Sequence, residues 1–148
     1  MLLAAVILVI FYWLVRSPVM LIKKASTKKG TEAGALSEIK ITLEVKNRSE
    51  KPLQNVLVSD IVPTIANVEK SLDLGTLKPK EIKHTKKGTI VVWSIAELDA
   101  EEHRLITYHV RAKLNILGTF SLPRATAEFT TSTGRKGKGY SNVFRLSP

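Results

Sequence analysis

The chain has 148 residues, enough for one domain of ordinary size plus an extension. Lys and Arg number 23 against 13 Asp and Glu; the resulting +10 charge suits anionic lipid, nucleic acid or an acidic protein surface as a partner. There is no cysteine, which excludes disulfides, a thiolate nucleophile and any Cys-ligated metal site.

Residues 2–15 are apolar or aromatic without exception. As a helix this run is about 21 Å long, against a hydrocarbon core of about 30 Å. The expectation is a membrane anchor over residues 1–17, read as a single-pass transmembrane helix. Tyr12 and Trp13 would sit at the membrane interface, and Arg16 would reach outward from its end. A cleaved secretory signal would want a positive segment before the run and small residues at a cleavage site, and neither is present. A remnant of a longer hydrophobic region upstream is a third reading. Ser17-Pro18 ends the helix, because the residue before proline is pushed out of the helical region.

Residues 18–36 form a basic segment whose start, 19–25, reads as a possible first strand. Lys23, Lys24, Lys28 and Lys29 follow closely. They are expected to touch anionic headgroups at the membrane interface, or to be lysines of a solvated loop. Positive flanks tend to stay in the cytoplasm, so by charge alone the folded domain lies inside.

The domain proper is expected over residues 37–148, and its organising stretch is 37–63. Ile39, Ile41, Leu43 and Val45 alternate with Lys40, Thr42, Glu44 and Lys46, the period of a strand with one buried face. A polar turn over 47–52 separates it from a second run, with Val56 and Val58 on the inner face. Residues 64–74 are less regular, with Val68 and Leu72 as a candidate edge strand.

Lys78, Lys80, Lys83, Lys86 and Lys87 form a second basic run. A nucleic-acid surface would interleave aromatic residues for stacking, and none lies among them. A charged hairpin that resists edge pairing accounts for them better. Residues 89–95 form a strongly β-prone run with Val91, Trp93 and Ile95 on one face, and Trp93 is the candidate for the largest core side chain. Glu97, Asp99, Glu101 and Glu102 lack the glycine that a calcium loop needs at its sharp turn, so a solvated turn is expected.

Residues 103–112 alternate again, with Ile106, Tyr108, Val110 and Ala112 on one face. His103 and His109 read as surface residues. Residues 121–131 predict one strand, with Pro123, Ala125, Ala127 and Phe129 inward. The glycine-rich turn 134–139 carries Arg135, Lys136 and Lys138. A phosphate-binding loop needs GxxxxGK followed by Ser or Thr and then a helix. Here Gly139 follows Lys138, so a hairpin tip is expected. Residues 140–146 predict the closing strand.

Seven or eight short strands at even spacing, with no helix after Pro18, predict an all-β immunoglobulin-like antiparallel sandwich. Its core is expected to draw on Ile39, Ile41, Leu43, Val45, Val56, Val58, Trp93, Ile106, Tyr108, Val110, Ala127, Phe129 and Val143.

From residue 37 onward the chain resembles an immunoglobulin-like repeat domain of unknown function found in archaeal and bacterial envelope proteins. The resemblance rests on ITLEVKNRSEKPLQNVLVSDIVP, SLDLGTLKP, VVWSIAELDAEEHRLITYHVRAK and YSNVFRL. Asn47, Asp60, Pro63, Trp93, Leu98, Tyr108, Ser141 and Asn142 match the family pattern. The front half also resembles the β-domain that follows the membrane helices in proteins carrying a von Willebrand-type domain. The resemblance implies a non-enzymatic scaffold or adhesion module, usually on the outer face of the membrane.

The expected function is therefore a non-enzymatic, membrane-anchored structural or interaction module of the cell envelope. Its partners would be the membrane and another protein or a second copy. No cofactor, metal or small-molecule substrate is expected, because no nucleophile-base pair or convergent ligand set can be assembled. The alternative is a basic binding module at the inner membrane face that recruits nucleic acid or an acidic protein. Lys78, Lys80, Lys83, Lys86, Lys87, Arg135, Lys136 and Lys138 are the candidate anion- or partner-binding residues.

Overall fold

The computed structural model describes residues 2–15, 17–28, 37–63, 66–68, 77–112 and 120–146. One helix, α1 (Leu2–Val15), precedes the strands β1 (Val19–Lys28), β2 (Ser37–Asn47), β3 (Leu53–Val62), β4 (Ala66–Val68), β5 (Glu81–Thr85) and β6 (Gly88–Leu98). Then come β7 (His103–Ala112), β8 (Phe120–Leu122), β9 (Thr126–Thr130), β10 (Lys136–Tyr140) and β11 (Phe144–Leu146).

Two antiparallel sheets make the body. One has the order β1-β2-β7-β4, the other β10-β9-β3-β6-β5, and β11 pairs with β8 in a small third sheet. The chain crosses between the two main sheets from β2 to β3, from β3 to β4, from β4 to β5 and from β6 to β7, and once more from β7 by way of β8 to β9. In space the order resembles that of an immunoglobulin variable-type domain, with β6 and β5 extending one sheet beyond β3, but the connectivity differs because β4 comes before them in the chain. The fold is thus an all-β sandwich, as the periodicity predicts.

Alternation sets which side chains go inside. In β2, Ile39, Ile41, Leu43 and Val45 are buried. In β3, Leu53 and Val56 are both buried although three residues apart, because a bulge lies between Gln54 and Leu57 in the pairing with β9. Asn55 takes up the bulge with φ of 50°, a left-handed conformation that asparagine tolerates. Trp93 on one sheet meets Tyr108 on the other at the centre of the core, with ring centroids 5.3 Å apart and planes tilted by 41°. Fully burying one large side chain of this kind is worth about 1.5–3 kcal/mol.

Four expectations need correction. The described residues contain eleven strands, three of them only three residues long, in place of seven or eight. Residues 121–131 do not form one strand, because the chain leaves the ladder at Pro123 and re-enters at Thr126. Residues 140–146 are likewise broken. Ser141 Oγ accepts from the Ala125 N–H at 2.8 Å, which turns the chain between β10 and β11. Val143 falls in this turn and is 45% exposed, so it is no core residue. The helix α1 has 14 residues, and no helix among the described residues is long and apolar enough to cross a membrane. Leu72 lies outside the described residues.

Candidate functional site

The buried side of β1 carries the least expected feature. Val19, Leu21 and Lys23 share its inner face, so a lysine occupies a core position. Lys23 and Asp60 of β3 are both fully buried, and Lys23 Nζ lies 2.6 Å from Asp60 Oδ1. Nζ also donates to the Pro123 carbonyl at 2.8 Å. The second carboxylate oxygen of Asp60 accepts from the Tyr108 hydroxyl, and Oδ1 also accepts the Ile61 N–H at 3.0 Å. Asn142 grips Lys23 from outside, bonding its main-chain N–H and carbonyl at 2.9 and 3.0 Å.

The cluster ties both sheets together, since β1 and β7 belong to one and β3 to the other. Removal from water governs its electrostatics. Desolvation pushes the Lys23 amine below its ordinary range and the Asp60 carboxyl above its own, against their mutual attraction. Burial, then the neighbouring Asp60, raises the Tyr108 phenol well above its usual value, so it stays a hydrogen-bond donor. Lys23 was expected at a membrane interface. That expectation is corrected, because an inward strand position and a buried carboxylate partner take it out of any surface. The signal was in the sequence, as Val19-x-Leu21-x-Lys23-x-Ala25 alternates; an isolated charge within an apolar face marks a buried partner.

Of the other interface candidates, Lys24 and Lys28 are exposed on β1. Arg16 and Lys29 lie outside the described residues, as do the side chains of Tyr12 and Trp13. The helix that precedes them is apolar on every side. Leu2, Leu3, Val6, Ile7, Leu8, Val9, Ile10 and Phe11 are 52–86% exposed.

The basic candidates fall into two groups. Lys78, Lys80, Lys83, Lys86 and Lys87 are exposed at the β5–β6 hairpin, where β5 is an edge strand. Arg135, Lys136 and Lys138 are exposed at β10, the opposite edge of the same sheet. Three strands separate the two edges, about 19 Å at normal strand spacing, so the fold does not gather them into one patch. Lys138 is partly engaged, 3.8 Å from Glu128 and 5.7 Å from the centre of the Tyr140 ring. The glycines beside these lysines serve packing, since a Cβ on Gly137 would run into the Phe129 ring.

Asn47 is a second buried polar residue with a structural task. Its Nδ2 donates to the carbonyls of Lys51, Leu98 and Asp99 at 2.8–3.1 Å, and its Oδ1 accepts from Ser49. His103 is exposed beside Glu44, and His109 is half-buried beside Glu38. Among the described residues, no three His, Cys, Asp or Glu side chains gather in a way that could hold a metal ion.

No family model matches the chain, and no curated protein matches it either. Solved structures share its fold at low identity. A variant of BcpA, the major pilin subunit of Bacillus cereus, is 10% identical with a TM-score of 0.60; the match covers 88% of this chain and 40% of that one. The protein from Bordetella pertussis assigned as ApaA is 11% identical with a TM-score of 0.55, covering 87% and 92% of the two chains. A GH20 exo-β-N-acetylglucosaminidase from Vibrio harveyi is 9% identical with a TM-score of 0.52, covering 85% of this chain and 18% of that one. This chain thus spans about two fifths of the pilin subunit and under a fifth of the glycosidase. At these identities the matches establish the β-sandwich fold alone.

Proposed function

We propose that the chain is a non-enzymatic structural or interaction module of the cell envelope, attached to the membrane through α1. The observation that carries this reading is the uncovered helix. Its side chains from Leu2 to Phe11 are apolar all round the axis and exposed, the large ones by more than half. A helix with no polar face suits a buried or lipid environment. At about 21 Å it is shorter than a hydrocarbon core of about 30 Å, so the attachment rests on burying its apolar surface in the bilayer, and a full pass needs residues beyond the helix. The sandwich beyond it presents an immunoglobulin-like surface to another protein or to a second copy.

Vesicle flotation tests the attachment. The full chain should float with neutral vesicles in high salt, and a chain starting at Ser17 should not. Full-length protein left at the bottom of the gradient would refute it. Protease treatment of sealed cells then assigns the side, outward by the family resemblance or inward by the positive flank.

A second reading draws on the exposed lysines of the β5–β6 hairpin. In it the sandwich recruits nucleic acid or an acidic protein at the inner membrane face. Binding of this kind weakens steeply with salt, with a log-log slope set by the number of phosphates contacted. Absence of binding at low salt removes this second reading and leaves the first.

A further inference from the structure

We propose that Lys23 and Asp60 condense into a covalent amide, a permanent link between β1 and β3. The geometry that supports this is the 2.6 Å contact between Nζ and Oδ1, with neither side chain exposed to solvent. Fixing two reactants in such contact replaces a bimolecular encounter, and effective molarities for well-oriented intramolecular pairs reach about 10⁵–10⁸ M. Exclusion of water also removes the nucleophile that would compete with the amine.

Amide formation needs a neutral amine and a neutral carboxylic acid. Burial drives both partners that way, lowering the Lys23 pKa and raising that of Asp60. In the neutral pair, one N–H of Nζ stays on the Pro123 carbonyl and the lone pair faces the Asp60 carboxyl. The step balances without any co-reactant. The Nζ–Cγ bond forms, and the carbonyl electron pair moves to Oδ2. Tyr108 already donates its hydroxyl hydrogen to that oxygen and holds the developing negative charge there. One Nζ proton passes to Oδ1, which already bears the carboxyl proton. The Cγ–Oδ1 bond breaks, water leaves, and the carbonyl re-forms at Oδ2. Tyr108 is thus a catalytic residue of the proposed step, in contact with the reacting carboxyl.

Pro123 and Asn142 are positioning residues. The Pro123 carbonyl holds the amine end, and Asn142 fixes the main chain of Lys23 on either side of its Cα. An edge strand held this way cannot slide, so the amine stays on one carboxyl.

The test is the intact mass of the full chain, purified in detergent, held folded at neutral pH and then denatured. The expected mass is one water below that of the sequence, and proteolysis should release a branched peptide containing Lys23 and Asp60. Lys23→Met and Asp60→Ala should carry the full mass. Tyr108→Phe should accumulate the light form about a hundredfold more slowly, as for loss of one donor to a developing oxyanion. The full mass after prolonged incubation of the unaltered protein would overturn the proposal. So would a water loss mapped to any other pair of residues. Both outcomes are read on the unaltered chain and do not depend on a variant folding.

Discussion

Asn142 holds Lys23 by both of its main-chain polar groups, accepting the N–H at 2.9 Å through Oδ1 and donating to the carbonyl at 3.0 Å through Nδ2. A side-chain amide here does what a neighbouring strand would do for an edge. β1 pairs with β2 along one side, and Asn142 supplies one residue's worth of pairing on the other. Asn142→Ala should lower stability by about 1–3 kcal/mol, since both Lys23 groups lose their partner. Asn142→Asp should recover little, because a carboxylate cannot donate to the Lys23 carbonyl. Urea unfolding of the three proteins in detergent checks both.

Lys23→Met should destabilise the fold by about 3–5 kcal/mol at neutral pH, because it leaves Asp60 as a buried carboxyl with neither the amine nor an amide bond as partner. The loss should depend on pH with a definite sign. Asp60 already has a folded-state pKa above the ordinary 3.8, through burial, and the variant deletes the Lys23 attraction that lowers it. The folded variant therefore binds a proton more readily than the unfolded chain does. Its Asp60 stability deficit is smallest below the unfolded value and grows as pH rises through the raised folded value, at about 1.4 kcal/mol per unit. Unfolding curves across mildly acid pH read this directly; a deficit that grows toward acid would contradict the assignment.

Asn47→Ala should cost about 2–3 kcal/mol, as it leaves buried carbonyls without donors. Asn47 bridges the 49–51 turn and the end of β6. Asn47→Asp keeps the acceptor for Ser49 but puts an oxygen against those carbonyls, so it should be no milder. Thermal denaturation compares the pair.

Two glycines offer a matched contrast. Gly88 has φ of 142°, and a Cβ there would fall on the Val62 carbonyl oxygen. Gly134 has φ of 84° and open space around it. Gly134→Ala should cost only about 1 kcal/mol of backbone strain. Gly88→Ala should cost clearly more, because the β3–β6 ladder must shift. Melting temperatures of the two variants decide it.

The sandwich was legible in the chain because its central strands are strictly alternating. Ile39 to Val45 in β2, Val91 to Ile95 in β6 and Ile106 to Val110 in β7 each announce a buried face, and all of these side chains are buried. The edges of the fold were less legible. Val143 sits in a run that reads as a strand, but the hydrogen bonds that Ser141 and Asn142 accept from the main chain of Ala125 and Lys23 decide its direction. The short strands β8 and β11 owe their pairing to each other and not to local propensity.

The polar cluster was half legible. Asp60, Tyr108 and Asn142 draw notice in the sequence only through a resemblance, and nothing local tells what they contact. Charge density along the chain groups Lys23 with Lys24, Lys28 and Lys29, whereas its facing direction shows only through alternation. Its partner lies 37 residues away. The two basic runs could be found from composition alone, but their placement on opposite edges of one sheet follows from the strand order.

The junction between helix and sandwich has a consequence for load. Only residues 16–18 separate α1 from β1, and Arg48 clamps that entry by donating to the carbonyls of Ser17 and Pro18 at 2.6 and 2.7 Å. Tension drawn through α1 along the axis of β1 meets ten antiparallel pairings with β2 in shear, so their hydrogen bonds must yield together. A pull across the strand would open them one at a time, starting at Arg48. The same domain would then be stiff toward one direction of traction and compliant toward the other.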